Sequence, residues 1–290
     1  MREFVIMTDS CCDLTAEMAQ ELNIIVQPLS LLLDEKSYCN YLDGREIGFK
    51  EFYDYMRAGK LGTTSAVSVG QFEDAMRSVL AEGKDILYIG FSSGLSTTYQ
   101  SATIAAESLR EEFPDADIRT VDSLCASMGQ GLLVWLCAQQ KKAGKTIAEV
   151  YDYCVETIPH LCHWFTVDDL NHLKRGGRVS ATTALVGTML AIKPVLHVDD
   201  EGHLINVGKA RGRKASLLAL VDEMEKSAID PAEQTIFLSH GDCLADAEFV
   251  AAEIKKRFGT ETFHINYVGP VIGNHTGAGV VALFFLGNKR

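Results

Sequence analysis

Ile86 to Ala102, ILYIGFSSGLSTTYQSA, constrains this chain more than any other stretch. The apolar run from Ile86 to Gly90 reads as a short strand, Ser92-Ser93-Gly94 as a tight hydroxyl-rich turn, and Tyr99, Ala102 and Thr103 as one face of a helix. Free amide N–H groups and the positive end of the helix dipole converge on such a turn. It therefore suits an anion, whether a phosphate, a carboxylate or a developing oxyanion. Two chemistries fit. Gly90-Phe91-Ser92-Ser93-Gly94 has the G-x-S-x-G form that presents a nucleophilic serine in some hydrolases, and the same hydroxyls can hold a carboxylate without reacting.

The flanking sequence repeats this rhythm. Phe4 to Met7 is a strand that delivers Thr8-Asp9-Ser10 to its carboxyl end. Thr15 caps a helix through Asn23, and Ile24 to Leu33, broken by Pro28, is extended. Phe49, Phe52, Tyr53 and Met56 mark one helix, and the Ser68/Gln71 capping box opens another with Phe72, Met76, Val79 and Leu80 inward. Just before that box, Gly62-Thr63-Thr64-Ser65 is a second hydroxyl cluster, either a set of helix caps or a binding loop. Asp117 to Val121 is another strand, ending in Asp122-Ser123. Four strand and helix alternations predict a parallel sheet with helices on both faces, and ligands of such sheets lie beyond the carboxyl ends of the strands. Thr8-Asp9-Ser10, Ser92-Ser93 and Asp122-Ser123 all fall at such ends.

Two consecutive amphipathic helices, near 127–143 and 146–160, interrupt the alternation and predict a domain boundary near Pro159. The expected division is 1–159 and 160–290. In the second part, Trp164 to Val167 is a strand and Asp168 to Arg175 a helix stopped by Gly176-Gly177, which leaves Arg178 on a backbone bend. The small, apolar segment from Ser180 to Leu190 leads into Ile192-Lys193-Pro194. A hairpin spans 194–207, Arg211 and Arg213 precede a helix, and strands near 234–239, 262–268 and 280–286 enclose a helix at 245–258. Between the last two strands, residues 269–277 read as a Gly-rich loop with His275 in its middle. The fold class expected is α/β in two domains, an N-terminal parallel-sheet α/β/α domain and a C-terminal mixed-sheet α/β domain, with a ligand between them.

Bulk properties narrow the function. A net charge of −12 and the absence of any basic cluster argue against a nucleic-acid partner. The N-terminal apolar run is too short for a signal peptide, and Val280 to Leu286 is too short for a membrane span, so stable membrane insertion is not expected and the cytoplasm is. Eight cysteines without a C-x-x-C pair fit a reduced protein. His160, Cys162 and His163 are close in sequence, but on a strand His163 points away from the other two, so no metal site is expected.

Several ordered motifs together resemble the DegV family. They are Thr8-Asp9-Ser10, Thr64-Ser65, Ser92-Ser93-Gly94-Leu95-Ser96 with Tyr99-Gln100-Ser101-Ala102, and Val121-Asp122-Ser123. Further on come Val167-Asp168-Asp169-Leu170, Leu173-Lys174-Arg175-Gly176-Gly177-Arg178, Lys193-Pro194, Arg211 to Lys214, and Gly269-Pro270-Val271 with His275. The resemblance implies a non-catalytic, bacterial, two-domain protein that binds a long-chain fatty acid such as palmitate, stearate or oleate. It also implies presentation of the carboxyl group to a separate fatty acid kinase that makes an acyl-phosphate for phospholipid metabolism, with no cofactor and no metal. Carried over residue by residue, it places the carboxylate against Thr64 and Ser93, with His275, Arg178 and Arg211 at the same mouth and Thr63 and Ser92 beside them. Leu185, Val186, Met189, Leu190 and Ile192 are candidates for lining an apolar tunnel, or are ordinary core. The chain departs from the family pattern at Ala66-Val67, Ser96-Thr97-Thr98 and Gly277-Ala278-Gly279.

Two other readings are open at this level. A serine hydrolase would use Ser92 with Asp122 or Asp242 and His275, in the order Ser, Asp, His for Asp122 or Asp242, but an HGGG-type oxyanion segment is absent and few strands precede Ser92. A small-molecule kinase would need a P-loop or an acidic Mg²⁺ site, and the sequence has neither.

Overall fold

The computed structural model describes residues 2–179 and 192–290. The first half runs β1 (Phe4–Asp9), α1 (Ala16–Glu21), β2 (Ile24–Gln27), β3 (Ser30–Leu33), β4 (Lys36–Cys39), α2 (Phe49–Arg57), β5 (Thr63–Ser65) and α3 (Val69–Ala81). It continues through β6 (Asp85–Gly90), α4 (Thr98–Glu112), β7 (Ile118–Asp122), α5 (Met128–Lys142) and α6 (Ile147–Thr157). The second half contains β8 (Leu161–Thr166), α7 (Asn171–Arg175), β9 (Ile192–Val198), β10 (Leu204–Arg211), α8 (Arg213–Ser227) and β11 (Thr235–His240). It ends with α9 (Leu244–Phe258), β12 (Thr262–Tyr267), α10 (Pro270–Thr276) and β13 (Val281–Leu286).

Local chemistry sets many of these boundaries. Thr15 accepts the Met18 N–H at the start of α1, and capping boxes pair Ser68 with Gln71 and Thr146 with Glu149 at the starts of α3 and α6. Gly259, at φ 77°, ends α9 in the left-handed conformation that glycine adopts most easily.

Strands β2-β1-β6-β7 form a parallel sheet, with Val5 opposite Ile86 and Ile86 opposite Ile118. Both central strands are buried along their length, as a sheet covered on both faces requires. Alternate residues divide between the two faces. Val5, Met7, Ile86 and Tyr88 pack against α3 and α4, while Ile6, Leu87 and Ile89 pack toward α5 and α6.

The second sheet has the order β10-β9-β8-β13-β11-β12, antiparallel except for the β11/β12 pair. Leu283 and Phe285 face α8 and α9, whereas Ala282, Phe284 and Phe165 join the core that contains α5 and Ile6. Helix α5 touches β1 and β6 on one side and β8, β11 and β13 on the other. One hydrophobic core therefore passes from the parallel sheet through α5 to the mixed sheet. The strands of the two sheets divide on either side of the 3₁₀ turn at Ile158–His160.

Two segments differ from the sequence expectation. Residues 63–65 form the edge strand β5 of a small antiparallel sheet, β4-β3-β5, and do not serve as caps for α3. Residues 269–277 hold a short helix, α10, with Pro270 in its first turn and His275 in its last, where a loop was expected. Tertiary packing overrides the Gly content there: Gly273 sits against Phe52 and Tyr53 so closely that a Cβ would meet each at 2.7 Å. Proposed tunnel residues Leu185, Val186, Met189 and Leu190 lie outside the described residues.

Candidate functional site: a polar mouth on an apolar cavity

Strand ends of the first half are tied together from below. Asp9 is fully buried, and its carboxylate accepts the Cys11 N–H at 3.0 Å, the Phe91 N–H at 2.9 Å and the Tyr88 hydroxyl at 2.8 Å. Burial raises the Asp9 pKa, and these donors oppose the rise. Thr8 donates to the Ile89 carbonyl at 2.7 Å, and Ser10 accepts the Leu29 N–H at 3.0 Å. Asp122 accepts the N–H groups of Ser93 at 3.2 Å and Leu124 at 3.1 Å. The Thr8-Asp9-Ser10 and Asp122 side chains thus hold the loops that carry Ser93 and its neighbours.

The two halves meet at His275. Its Nε2 lies 2.8 Å from Thr64 Oγ1, so the last turn of α10 is bonded to the edge strand β5. The adjacent Asn274 fixes this register: its Oδ1 accepts the Gly62 N–H at 2.9 Å and its Nδ2 donates to the Gly62 carbonyl at 2.9 Å. His275 Nδ1 is buried with no hydrogen-bond partner among the described residues, close against Gly176. Burial, with the nearby Arg178 guanidinium adding to it, pushes the His275 pKa down to about 4, so the ring is neutral at pH 7. Arg178 is half-buried and donates to the carbonyls of Gly176 and, at 3.3 Å, Leu95.

Thr64, Ser93, Arg178 and His275 all line one cavity of about 450 Å³, within the range of roughly 300 to 1,000 Å³ common for small-molecule sites. Much of the rest of its wall is apolar, with Phe165, Val198, Val271, Ile272, Ala282 and Phe284 contributed by the mixed sheet and α10. Ser127 and Ser239 lie on the wall as well. The cavity combines hydroxyls, a neutral imidazole and a guanidinium in one region with an apolar interior. Such a site can hydrogen-bond and balance an anionic head while covering a hydrocarbon tail.

The remaining expected residues are placed differently. Ser92 is buried, off the cavity wall; its hydroxyl donates to the Gly202 carbonyl at 2.9 Å and accepts the Gly94 N–H at 3.2 Å. The hydrolase triad is not assembled around it. Asp122 is bonded to loop amides, Asp242 pairs with Arg57 at 2.5 Å, and His275 is bonded to Thr64. Thr63 and Arg211 are exposed and stand off the wall, Arg211 at the end of the outer strand β10, and Ile192 is off the wall too. Asn274 escaped the sequence reading, its one signal being adjacency to His275. Asp13 escaped as well: it is buried, bonds Ser127 within the first half and accepts the Gly269 N–H from the second. Among the described residues no cluster suited to a metal ion occurs, and no helix is long and apolar enough to cross a membrane.

Comparison with known proteins agrees with this architecture. A family model described as an uncharacterised protein of the DegV family matches residues 3–288. A DegV domain-containing protein of Clostridium perfringens is 47% identical over 290 residues, covering 100% of this chain and 99% of that one. A DegV lipid-binding protein from Thermotoga maritima superposes with a TM-score of 0.88 at 27% identity, over 99% of both chains. A DegV family protein from Thermus thermophilus, described for its fatty acid binding, has a TM-score of 0.84 at 29% identity, covering 98% of this chain and 99% of its own. With the motifs, both sheets and the full length of the chain in agreement, this protein belongs to the DegV family.

Proposed function

We propose that this protein binds a long-chain fatty acid, such as palmitate, stearate or oleate, without altering it. The carboxylate sits among Thr64, Ser93, His275 and Arg178, and the tail runs along the apolar cavity between the parallel and mixed sheets. One observation carries the reading: Thr64 and His275 are 2.8 Å apart on the wall of a cavity whose interior is apolar. A carboxylate leaving water needs hydrogen-bond donors and a balancing charge, which the hydroxyls and Arg178 supply. Each buried methylene contributes about 0.8 kcal/mol, so a 16-carbon tail gains on the order of 10 kcal/mol before ordering costs. The lipid binding of the related Thermotoga protein and the fatty acid binding of the related Thermus protein support the same ligand class.

The bound acid is then presented, in the cytoplasm, to a fatty acid kinase that forms the acyl-phosphate. Arg211 and Thr63, exposed and off the cavity wall, are assigned to that encounter and not to the ligand. No cofactor takes part, and residues 1–159 and 160–290 act as the two lobes of the site. Titration with palmitate, stearate and oleate, followed by the rise in melting temperature, tests the binding step. A rise with each acid in the wild type, reduced in Thr64→Val, is expected. No rise with any of them contradicts the proposal.

A further inference from the structure

Helix α10 is held at both ends. Its last turn carries Asn274 and His275 against Gly62 and Thr64. At its other end, Asp13 Oδ1 accepts the N–H of Gly269, the residue that caps the helix, at 3.0 Å. The other carboxylate oxygen, Oδ2, accepts the Ser127 hydroxyl at 2.5 Å, and Ser127 lies 2.9 Å from the Ser239 hydroxyl. The backbone of the same residue is engaged too, since Asn266 Nδ2 donates to the Asp13 carbonyl at 2.8 Å. Asp13 thus gathers the first turn after β1, the start of α5, the end of β12 and the start of α10. It is 3% exposed and sits in the left-handed conformation at φ 50°, a costly geometry for a residue other than glycine.

Two features suggest that this junction serves the site and not packing alone. Ser127 and Ser239 stand on the cavity wall, and so do Val271, Ile272, His275 and Thr276 of α10. A buried carboxylate bonded to the helix cap also fixes where the whole of a seven-residue helix sits, because so short a helix has little internal stability of its own. Resting on the fatty acid reading of the cavity, we infer that Asp13 is a positioning residue: through Gly269 it seats α10 so that His275 meets Thr64, and through Ser127 it joins that seating to the cavity wall.

The test reads His275 directly, in the protein without ligand. Its ring is followed by NMR titration in the wild type, Asp13→Asn, Asp13→Ala and Ser127→Ala, alongside fatty acid titrations. Ser216→Ala, which removes a buried hydroxyl bond to the Arg213 carbonyl on α8, controls for loss of stability alone. The His275 environment is set by burial and by Arg178, so unseating α10 lets water in and moves its pKa from about 4 toward 6.5. The expected result is a rise of at least about one unit in Asp13→Ala, with palmitate affinity falling about tenfold. Smaller changes are expected in Asp13→Asn, which keeps an acceptor for Gly269, and none in Ser216→Ala. An unchanged His275 titration in folded Asp13→Asn and Ser127→Ala overturns the inference, whatever happens to Asp13→Ala. A wild type that binds no fatty acid overturns the functional reading instead, and the ligand-free titration still decides the role of Asp13.

Discussion

The side-chain amide of Asn274 pairs with both backbone groups of Gly62, accepting its N–H and donating to its carbonyl at 2.9 Å each. This clamp places Thr64, two residues on, within reach of His275. Gly62 itself has no room for a side chain, since a Cβ would lie 2.7 Å from the Leu32 carbonyl oxygen. Asn274→Ala leaves both groups to find water at a half-buried position, at a cost of about 1–3 kcal/mol. Urea unfolding should show that loss, and fatty acid titration a weaker affinity. A variant with wild-type stability and affinity contradicts the clamp.

On the proposed function, Thr64, Ser93 and His275 contact the carboxylate and Arg211 does not. Thr64→Val keeps the volume and removes one hydrogen bond to a carboxylate, which weakens palmitate binding about tenfold or more. Ser93→Ala and His275→Phe act in the same direction. Arg211→Ala, on an exposed strand end, leaves binding within about twofold by calorimetry. Equal losses in all of them refute this division of roles.

The Ser92 hydroxyl bridges the Gly202 carbonyl and the Gly94 N–H. Ser92→Ala strips the Gly202 carbonyl and the Gly94 N–H of their partner, and is expected to lower stability by about 1–3 kcal/mol. A fluorophosphonate probe should not label the wild type. Labelling that disappears in Ser92→Ala points instead to a reactive serine.

Asp13 and His275 make opposite contributions to the pH dependence of stability. Burial raises the Asp13 carboxyl to about 7, with the Asp9 charge adding to it against the bonds from Ser127 and Gly269, so the folded state holds that proton more tightly than the unfolded chain. Its contribution is present below about pH 4 and is lost as pH rises toward 7. The His275 pKa, about 4, lies below its ordinary 6.5. That contribution is present above pH 6.5 and is lost as pH falls toward 4. Asp13→Asn removes the first of these terms. Its stability relative to the wild type should therefore improve from pH 4 to pH 7 in urea unfolding. A difference that is constant over this interval contradicts the raised carboxyl.

Much of this was legible in the chain, because it rests on local signals. The Ser68/Gln71 capping box, the alternating apolar strands and the hydroxyl turn after β6 all appear where the sequence places them. What was hidden depends on partners far away in sequence. Thr63 to Ser65 becomes a strand only by pairing with Leu31 and its neighbours, a short edge with no period of its own. Helix α10 is hidden by its Pro and Gly content and is stabilised by Phe52, Tyr53 and Asp13. Ser92 was indistinguishable from Ser93, since one residue's difference in a turn decides which hydroxyl faces the cavity and which faces Gly202. Arg211 joined the site through motif resemblance, and the geometry puts it on an outer strand.

The most direct measurement is mass spectrometry of the lipid extracted from natively purified protein. A C16 to C18 fatty acid at close to one per chain, lost in a Thr64→Val, His275→Phe double variant, is the predicted result. Protein that carries no fatty acid and takes up none when palmitate, stearate or oleate is supplied would contradict the account.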